Sequence, residues 1–353
     1  KIYTGNGGSL AVTFDGNYFW LSEYSSSGGA FYQAYIGDSK GAAFELTGVT
    51  IPKVGGFDYY SMMAYNGYDD RLWIKSRSST TIRRQIPDYG ASCPSYPDLH
   101  YLCIAGGGGG GCGFSGGGAG GGGGAGGLRT SYGSKTGGGN TISEGPLELV
   151  AGTYTITVGS GGGGASYNGT YPRNGGSGND SSISHPSLTT VTSDGGGYGS
   201  GFSAVAGSGG SGGGNGTDAG STSSTGLTGQ GFEGSINSGG NSGSGGGAFG
   251  AGSAGSSGAG AGLAVSITGS SITYAQGGAG IASGGPTTTP NANRGDGGQG
   301  AGQTGARSGA AGVVILRLAT SNYSGVTTGS PTVTTSGSDT ILTFTGSGTY
   351  VHS

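Results

Sequence analysis

Residues 105–127 read AGGGGGGCGFSGGGAGGGGGAGG, a stretch with almost no side chain to bury. Glycine makes up 93 of the 353 residues, against about 7% in average proteins. Because glycine loses more backbone freedom than any other residue when it is ordered, the default expectation for such a run is a flexible linker. This chain can fold there only if the backbone supplies the contacts that side chains usually make.

Composition and charge exclude several classes of protein. There are 10 prolines and no G-X-Y repeat, which excludes collagen. The 14 Lys and Arg and 17 Asp and Glu give a net charge of −3 without a basic cluster, so we expect no nucleic-acid partner. No stretch approaches about 18 continuous apolar residues, so we expect no membrane insertion. Disordered tails typically carry a large net charge, which this chain lacks.

Residues 1–98 have the composition of an ordinary domain. They hold 18 of the 32 aromatic residues and 17 of the 31 charged residues. Runs such as SLAVTFDGNYFWLSEY (9–24) and AAFELTGVTI (42–51) alternate β-branched and aromatic residues between turn residues, which predicts an all-β N-terminal domain. Five aromatic residues there are expected in its core, with a binding surface as the alternative: Tyr59, Tyr60, Tyr65, Tyr68 and Trp73.

Short apolar segments interrupt the glycine between residues 99 and 325. They are LHYLCIA (99–105), GTYTITVG (152–159), LAVSITGSSITYA (263–275) and GVVILRLA (312–319). A linker has no need of them, and they alternate well enough to pair as a small sheet. The glycine tracts between them are expected to form polyproline II (polyglycine II) helices, which bond only to neighbouring segments and so pack as a helical bundle. We expect essentially no α-helix, and we expect no bulky side chain to fit in mid-tract, for example at Gly122.

The order of five motifs resembles a known family. HYLCIAGGGGGG (100–111), LVAGTYTITVGSGGGG (149–164), NGGSGNDSSIS (174–184), GLAVSITGSSITYAQGGAG (262–280) and GAAGVVILRLA (309–319) are similar to the glycine-rich domain of bacteriophage tail-fibre and related virion proteins. The resemblance implies a polyglycine II-type bundle. It also implies an architectural or adhesive part of a virus particle, with no catalysis. Residues 326–353 resemble the family's short β-module, either as a second module that stops early or as a piece that pairs back onto the sheet.

Candidate catalytic and metal-binding residues are few. His100, His185 and His352 are scattered, and we expect them to be structural. Asp69, Asp70 and Asp98 could act as acid and base, but a solvated strand end is the expected role. Cys93, Cys103 and Cys112 are expected to be buried thiols, with a Cys93–Cys103 or Cys103–Cys112 disulfide as the alternative. We therefore expect no enzyme activity, no cofactor and no metal.

Tyrosines in the small-residue region indicate a binding surface. Tyr132, Tyr167 and Tyr171 lie in LRTSYGSK and SYNGTYPRN, beside Arg129, Lys135 and Arg173. Loops at the ends of a rigid bundle commonly carry binding residues, and aromatic faces stack on sugars or on protein side chains. The hypothesis is that Tyr132, Tyr167, Tyr171 and Arg173 contact a receptor. The alternative is that the tyrosines cap the bundle by packing on glycine.

The resemblance thus implies, as the leading hypothesis, a non-enzymatic virion protein, a phage tail fibre or similar appendage used in host attachment. The expected partners are other virion proteins, a host surface glycan or outer-membrane protein, and further copies of the chain as a homotrimer. A monomeric tip is the alternative state. A bacterial extracellular surface or filament protein is the runner-up function, and an ice-binding protein with Thr and Ser rows is a third.

Overall fold

The protein is described by a computed structural model. It covers seven strands between residues 11 and 85, and residues 96–353 except 116, 139–142, 170–171, 221 and 256–257. The chain divides into two compact units, Lys1–Ser95 and Tyr96–Ser353. The described residues form antiparallel β-sheets with one 3-10 turn and no α-helix, which confirms the all-β expectation for this part of the chain. No helix in that part is long and apolar enough to cross a membrane.

Among its described strands, the first unit contains two antiparallel sheets. The first four strands form one sheet in sequence order, and the last three form the other. The runs 9–24 and 42–51 that the sequence indicates contain the first two strands and most of the fourth. The strands are β1 (Ala11–Phe14), β2 (Phe19–Ser22), β3 (Ala30–Ile36), β4 (Phe44–Pro52), β5 (Tyr60–Asn66), β6 (Arg71–Ser76) and β7 (Ile82–Gln85). The structure does not describe the side chains of these strands, which include Tyr60, Tyr65 and Trp73. It also does not describe Tyr59, Tyr68, Asp69 and Asp70.

The second unit contains thirteen strands among its described residues. They are β8 (Asp98–Ile104), β9 (Leu128–Thr130), β10 (Leu147–Glu148), β11 (Gly152–Thr157), β12 (Ser181–His185), β13 (Leu188–Ser193), β14 (Leu263–Val265), β15 (Ile272–Tyr274), β16 (Val313–Ala319), β17 (Thr327–Thr328), β18 (Thr332–Ser336), β19 (Asp339–Phe344) and β20 (Gly348–His352). A six-stranded sheet has the order β10-β8-β16-β19-β18, with β9 also pairing β8. A five-stranded sheet has the order β13-β12-β11-β20-β17, and β14 and β15 form a hairpin.

The C-terminal segment contributes to both larger sheets. Strand β19 pairs with β16, and β20 pairs with β11. The sequence left two arrangements for residues 326–353, an early-ending second module or a piece that pairs back onto the sheet. The structure shows the second arrangement.

A conventional apolar core lies on each face of the six-stranded sheet. On one face, Tyr101, Cys103 and Leu316 pack with Tyr154 and Ile183 of the five-stranded sheet. The side chains at the alternate strand positions, such as Leu102, Ile104 and Ile315, pack on the other face with Leu128 and with the β14–β15 hairpin. Strand side chains alternate between faces, so β8 and β16 need apolar residues at nearly every position.

The glycine tracts are held by backbone hydrogen bonds between separate segments. In segment 105–113, the N–H groups donate to three neighbouring segments, and every third residue donates to the same neighbour. Gly106, Gly109 and Cys112 donate to 179, 176 and 173; Gly107 and Gly110 donate to 310 and 307; Gly108 and Gly111 donate to 124 and 121. The carbonyls of the same segment accept from 159–165, 194–201 and 295–302. Six neighbouring segments therefore surround segment 105–113, and segment 119–127 is surrounded in the same way.

These segments approach so closely that they exclude side chains. A Cβ atom built on any of residues 106–111 would lie 2.0 to 2.2 Å from a carbonyl oxygen of a neighbouring segment. At Gly122 the oxygen of Gly278 would be 2.0 Å away. Gly163 is different, because a Cβ there would meet nothing within 4 Å. Glycine is thus required in the interior of the packed segments but not at every outward position.

We expect Gly122→Val to lower the free energy of unfolding by more than about 1 kcal/mol, because the new side chain pushes apart backbones that share hydrogen bonds. Gly163→Val makes the same chemical change at an open position and serves as the control. Thermal melting of both variants checks this. Equal melting temperatures would contradict the exclusion of side chains from the interior.

Candidate functional site

The glycine segments of the second unit have two different ends. At the sheet end they continue into strands, as Ala105 follows β8 and Gly312 precedes β16. At the turn end the chain reverses in short loops, including 202–206 and 282–284. Loops at either end are the positions where a packed bundle can present side chains.

Tyr132 lies at the sheet end and is half-buried. The guanidinium carbon of Arg317 lies 4.9 Å from the centroid of its ring, and His100 meets the ring edge-on at 5.6 Å between centroids. The Tyr132 amide donates to Thr130 Oγ1 at 3.0 Å. This ring is therefore packed against β8 and β16, although part of it faces solvent.

Two ion pairs fix the surroundings of Tyr132. Arg317 Nε donates to Asp339 Oδ2 at 2.8 Å, and its Nη1 donates to the Ile267 carbonyl at 3.0 Å. Arg129 donates to both carboxylate oxygens of Glu144, at 2.8 and 2.6 Å. Such bidentate pairs are the geometrically specific form of an Arg–carboxylate contact. The Arg129–Glu144 pair holds Glu144 beside β9.

Tyr101 connects this network to the core. Its hydroxyl donates to Glu144 Oε2 at 2.6 Å. Burial, followed by the hydrogen bond to the Glu144 carboxylate, raises the pKa of Tyr101 well above its usual range. The Tyr101 hydroxyl is thus a permanent donor, and the Arg129–Glu144 pair has a structural role.

Two of the other predicted contact residues, Tyr167 and Arg173, belong to the turn end. Arg173 pairs through its backbone with Cys112, and its side chain is exposed. Tyr167 is half-buried, and Tyr171 lies outside the described residues. An extended segment rises about 3 Å per residue, so the seven residues from Ala105 to Cys112 separate the two ends by roughly 20 Å. Tyr132 therefore does not share one surface with Tyr167 and Arg173.

The turn end carries an aromatic pair that the sequence did not single out. Phe114 and Phe202 are half-buried, with ring centroids 5.0 Å apart and planes tilted by 57°. A Cβ on Gly118 would lie 2.2 Å from Phe202 Cδ2, so that glycine lets the ring settle on the backbone. The sequence feature that could have indicated this pair is a single phenylalanine in each of two glycine- and serine-rich turns.

A shallow cavity of about 210 Å³ lies at the same end. Its lining is uncharged and made of small residues and one amide: Gly117, Gly118, Ala282, Ser283, Gly284, Gly302 and Gln303. Backbone groups and the Gln303 amide give it hydrogen-bonding capacity without a charge. It offers no nucleophile beside a base, which covalent catalysis requires.

Cys103 and Cys112 are buried free thiols, so the Cys103–Cys112 disulfide alternative is wrong for the described structure. Burial raises the pKa of Cys103 to about 12, and burial also raises the pKa of Cys112. Neither thiol is poised as a nucleophile. Cys93 lies outside the described residues.

His185 is buried against Tyr154, with 4.7 Å between ring centroids. Its Nδ1 accepts a hydrogen bond from the Ser187 amide at 3.2 Å, so Nε2 carries the proton. A histidine that binds a metal through Nε2 instead donates a hydrogen bond through Nδ1. No group of three or more His, Cys, Asp or Glu that could hold a metal occurs in the part of the chain that the structure describes.

The chain belongs to a family of glycine-rich domains. The family model, described as a glycine-rich domain, matches residues 89–319, more than half of the chain. A comparison with curated proteins finds no match. The family assignment agrees with the glycine-rich part of the sequence resemblance and carries no statement about a virus particle.

Alkaline pH should destabilise the protein. The pKa values of Cys103 and Tyr154 are raised by burial to about 12, from 9.0 and 10.0 respectively. Folded-state pKa values that are raised give stability that is complete below the unfolded pKa and is lost as pH rises. We expect the melting temperature to fall between about pH 9 and pH 12.

The control is Tyr154→Phe, which keeps the ring and removes one ionisable group. Its melting temperature should fall less steeply above about pH 10 than that of the wild type. A melting temperature that stays constant to about pH 11 would contradict the role of these buried groups.

Proposed function

We propose that the protein is a non-enzymatic structural and adhesive component of a virion, a phage tail fibre or similar appendage used in host attachment. The observation that carries the proposal is the hydrogen-bonded glycine architecture, in which two central segments are each enclosed by six others. Such a body is a stiff support with exposed loops at both ends. The ordered motifs that resemble virion glycine-rich domains supply the context.

We infer that the glycine segments are polyglycine II helices. This helix has three residues per turn and no hydrogen bonds within itself. Donors that return to the same neighbour at every third residue, as in segment 105–113, are what packed helices of this type require. The clash at 2.0 to 2.2 Å for an added Cβ also supports such close packing.

The contact surface of the proposal is the set of loops with Tyr132, Tyr167, Tyr171 and Arg173. The turn end has the stronger support. Arg173 is exposed there, Tyr167 is half-buried, and the Phe114–Phe202 pair adds aromatic surface. Aromatic and Arg side chains dominate the binding energy of many interfaces. Tyr132 is held by Arg317 and His100, so its contribution is expected to be smaller.

The proposed partners are other virion proteins, a host surface glycan or outer-membrane protein, and further copies of the chain. The location is the particle surface. A bacterial surface filament made of the same architecture is the alternative.

The location is tested by immunogold electron microscopy with antibodies raised against the full chain. Labelling of the appendages of purified particles, together with antibody inhibition of adsorption, is the expected result. Labelling confined to bacterial surface filaments would instead support the alternative.

We expect the triple variant Tyr167→Ala, Tyr171→Ala and Arg173→Ala to reduce adsorption by at least about tenfold, because interface aromatic and Arg residues are common hot spots. Tyr132→Ala is the comparison at the sheet end, and its effect should be weaker. Adsorption of particles that carry each variant is measured after the melting temperatures have been compared. Normal adsorption of the triple variant, combined with its loss on changing residues 1–98, would move the binding surface to the first unit.

A further inference from the structure

Strand β18 is an open edge of the six-stranded sheet. It pairs with β19 in a continuous register from Thr332 to Ser336. Within the described residues no hydrogen bond reaches its other side. Alternate N–H and C=O groups along that side therefore point outward without a partner among the described residues.

The first four of the five residues of β18 are exposed, and Ser336 is half-buried. Thr332, Val333, Thr334 and Thr335 are all exposed, and Val333 keeps 45% of its surface accessible. Four consecutive β-branched residues favour a strand and offer methyl groups to a neighbour on each face. A partner strand at this edge would cover apolar surface in addition to completing the ladder.

The usual protections of an edge strand are missing here. Natural edges carry lysines, inward charges, prolines or bulges that discourage pairing. Residues 318–338 contain no Asp, Glu, Lys, Arg or His, and β18 has no bulge. Pro331 only precedes the strand. The charges that flank this stretch, Arg317 and Asp339, neutralise each other in an ion pair at 2.8 Å.

The other edges of the two large sheets are less available. Strands β10 and β17 are two residues long. Strand β13 is buried or half-buried over its second half, and its Thr192 carbonyl accepts from Arg129 Nη1 at 3.2 Å. Among the described strands of the second unit, β18 is therefore the best candidate for adding a strand.

We propose that β18 pairs in antiparallel fashion with β18 of a second copy of this chain, about a two-fold axis at Thr334. The pairing places Thr334 opposite its own copy, Val333 opposite Thr335, and Thr332 opposite Ser336. All of these are uncharged pairs of similar size, so a second copy meets no like-charge repulsion. One strand pair buries a small area, so the dimer forms with modest affinity and depends on concentration.

The test compares lysine substitutions in the full chain by sedimentation velocity over a roughly hundredfold range of concentration. Thr334→Lys places two ammonium groups opposite each other across the axis. Thr189→Lys makes the same change at an exposed threonine of β13 and is the matched control. We expect a concentration-dependent dimer in the wild type and the control, and its loss with Thr334→Lys. Matching melting temperatures ensure that the variants are folded.

A cysteine cross-link tests the register directly. Opposed Cα atoms in an antiparallel pair lie about 4.5–5.5 Å apart, which a disulfide spans. In a Cys93→Ser background, where Cys103 and Cys112 are buried, Thr334→Cys should give a covalent dimer under mild oxidation. Thr189→Cys should not.

The proposal is overturned if the wild type stays monomeric throughout. It is also overturned if Thr334→Lys leaves the assembly unchanged and Thr334→Cys does not cross-link, because the copies then meet elsewhere or another protein covers the edge. These outcomes are independent of adsorption and particle labelling, so they leave the proposed function standing.

Discussion

The structure of the second unit depends on backbone hydrogen bonds between glycine segments. Ordering a residue costs about 1–2 kcal/mol, and one hydrogen bond returns only about 1 kcal/mol net. An isolated glycine segment therefore does not fold. Segment 105–113 can be ordered because six neighbouring segments bond to its N–H and C=O groups. Three neighbours share its N–H donors and the other three share its carbonyl acceptors, which makes the assembly cooperative.

The sheets solve a problem that the glycine segments cannot solve alone. Glycine buries almost no apolar surface, and apolar burial is the main favourable term in folding. Strands β8 and β16 continue directly into glycine segments and place apolar residues on both faces of one sheet. The conventional core therefore sets the starting positions of several segments. Once these positions are set, the hydrogen bonds can form along the remaining length.

Small polar side chains complete the backbone pairing where the segments become irregular. The Ser244 hydroxyl donates to the Gly255 carbonyl at 3.0 Å and accepts from the Gly280 amide at 2.8 Å. Asp296 accepts a hydrogen bond from the Gln276 amide at 3.0 Å. Burial raises the pKa of Asp296, and the hydrogen bonds to its carboxylate reduce that rise. A buried amide or carbonyl without a partner is costly, so these side chains replace a missing neighbouring segment.

The sequence predicted four strand-forming segments of the second unit, but the expectation that they pair as one small sheet was wrong, because they lie in three separate sheets. LHYLCIA became β8, GTYTITVG became β11, and GVVILRLA became β16, because each has the composition of a strand between turn signals. Nothing local indicates that β8 lies beside β16, or that β20 lies beside β11. The candidate site shows the same limit. Tyr132 is in a loop as expected, yet the residues that hold its ring, Arg317 and His100, are distant in sequence.

The two ends of the glycine segments are under different physical constraints. Loops at the sheet end contribute to the core and its ion pairs, as Tyr132 and Glu144 illustrate, so their residues are fixed by packing. Loops at the turn end join segments that their neighbours already hold in place, and many of their residues are exposed. Changes in length or composition there disturb few hydrogen bonds and little buried surface. A protein that must alter its contacts without losing its fold can therefore do so at the turn end, where Tyr167, Arg173 and the Phe114–Phe202 pair lie.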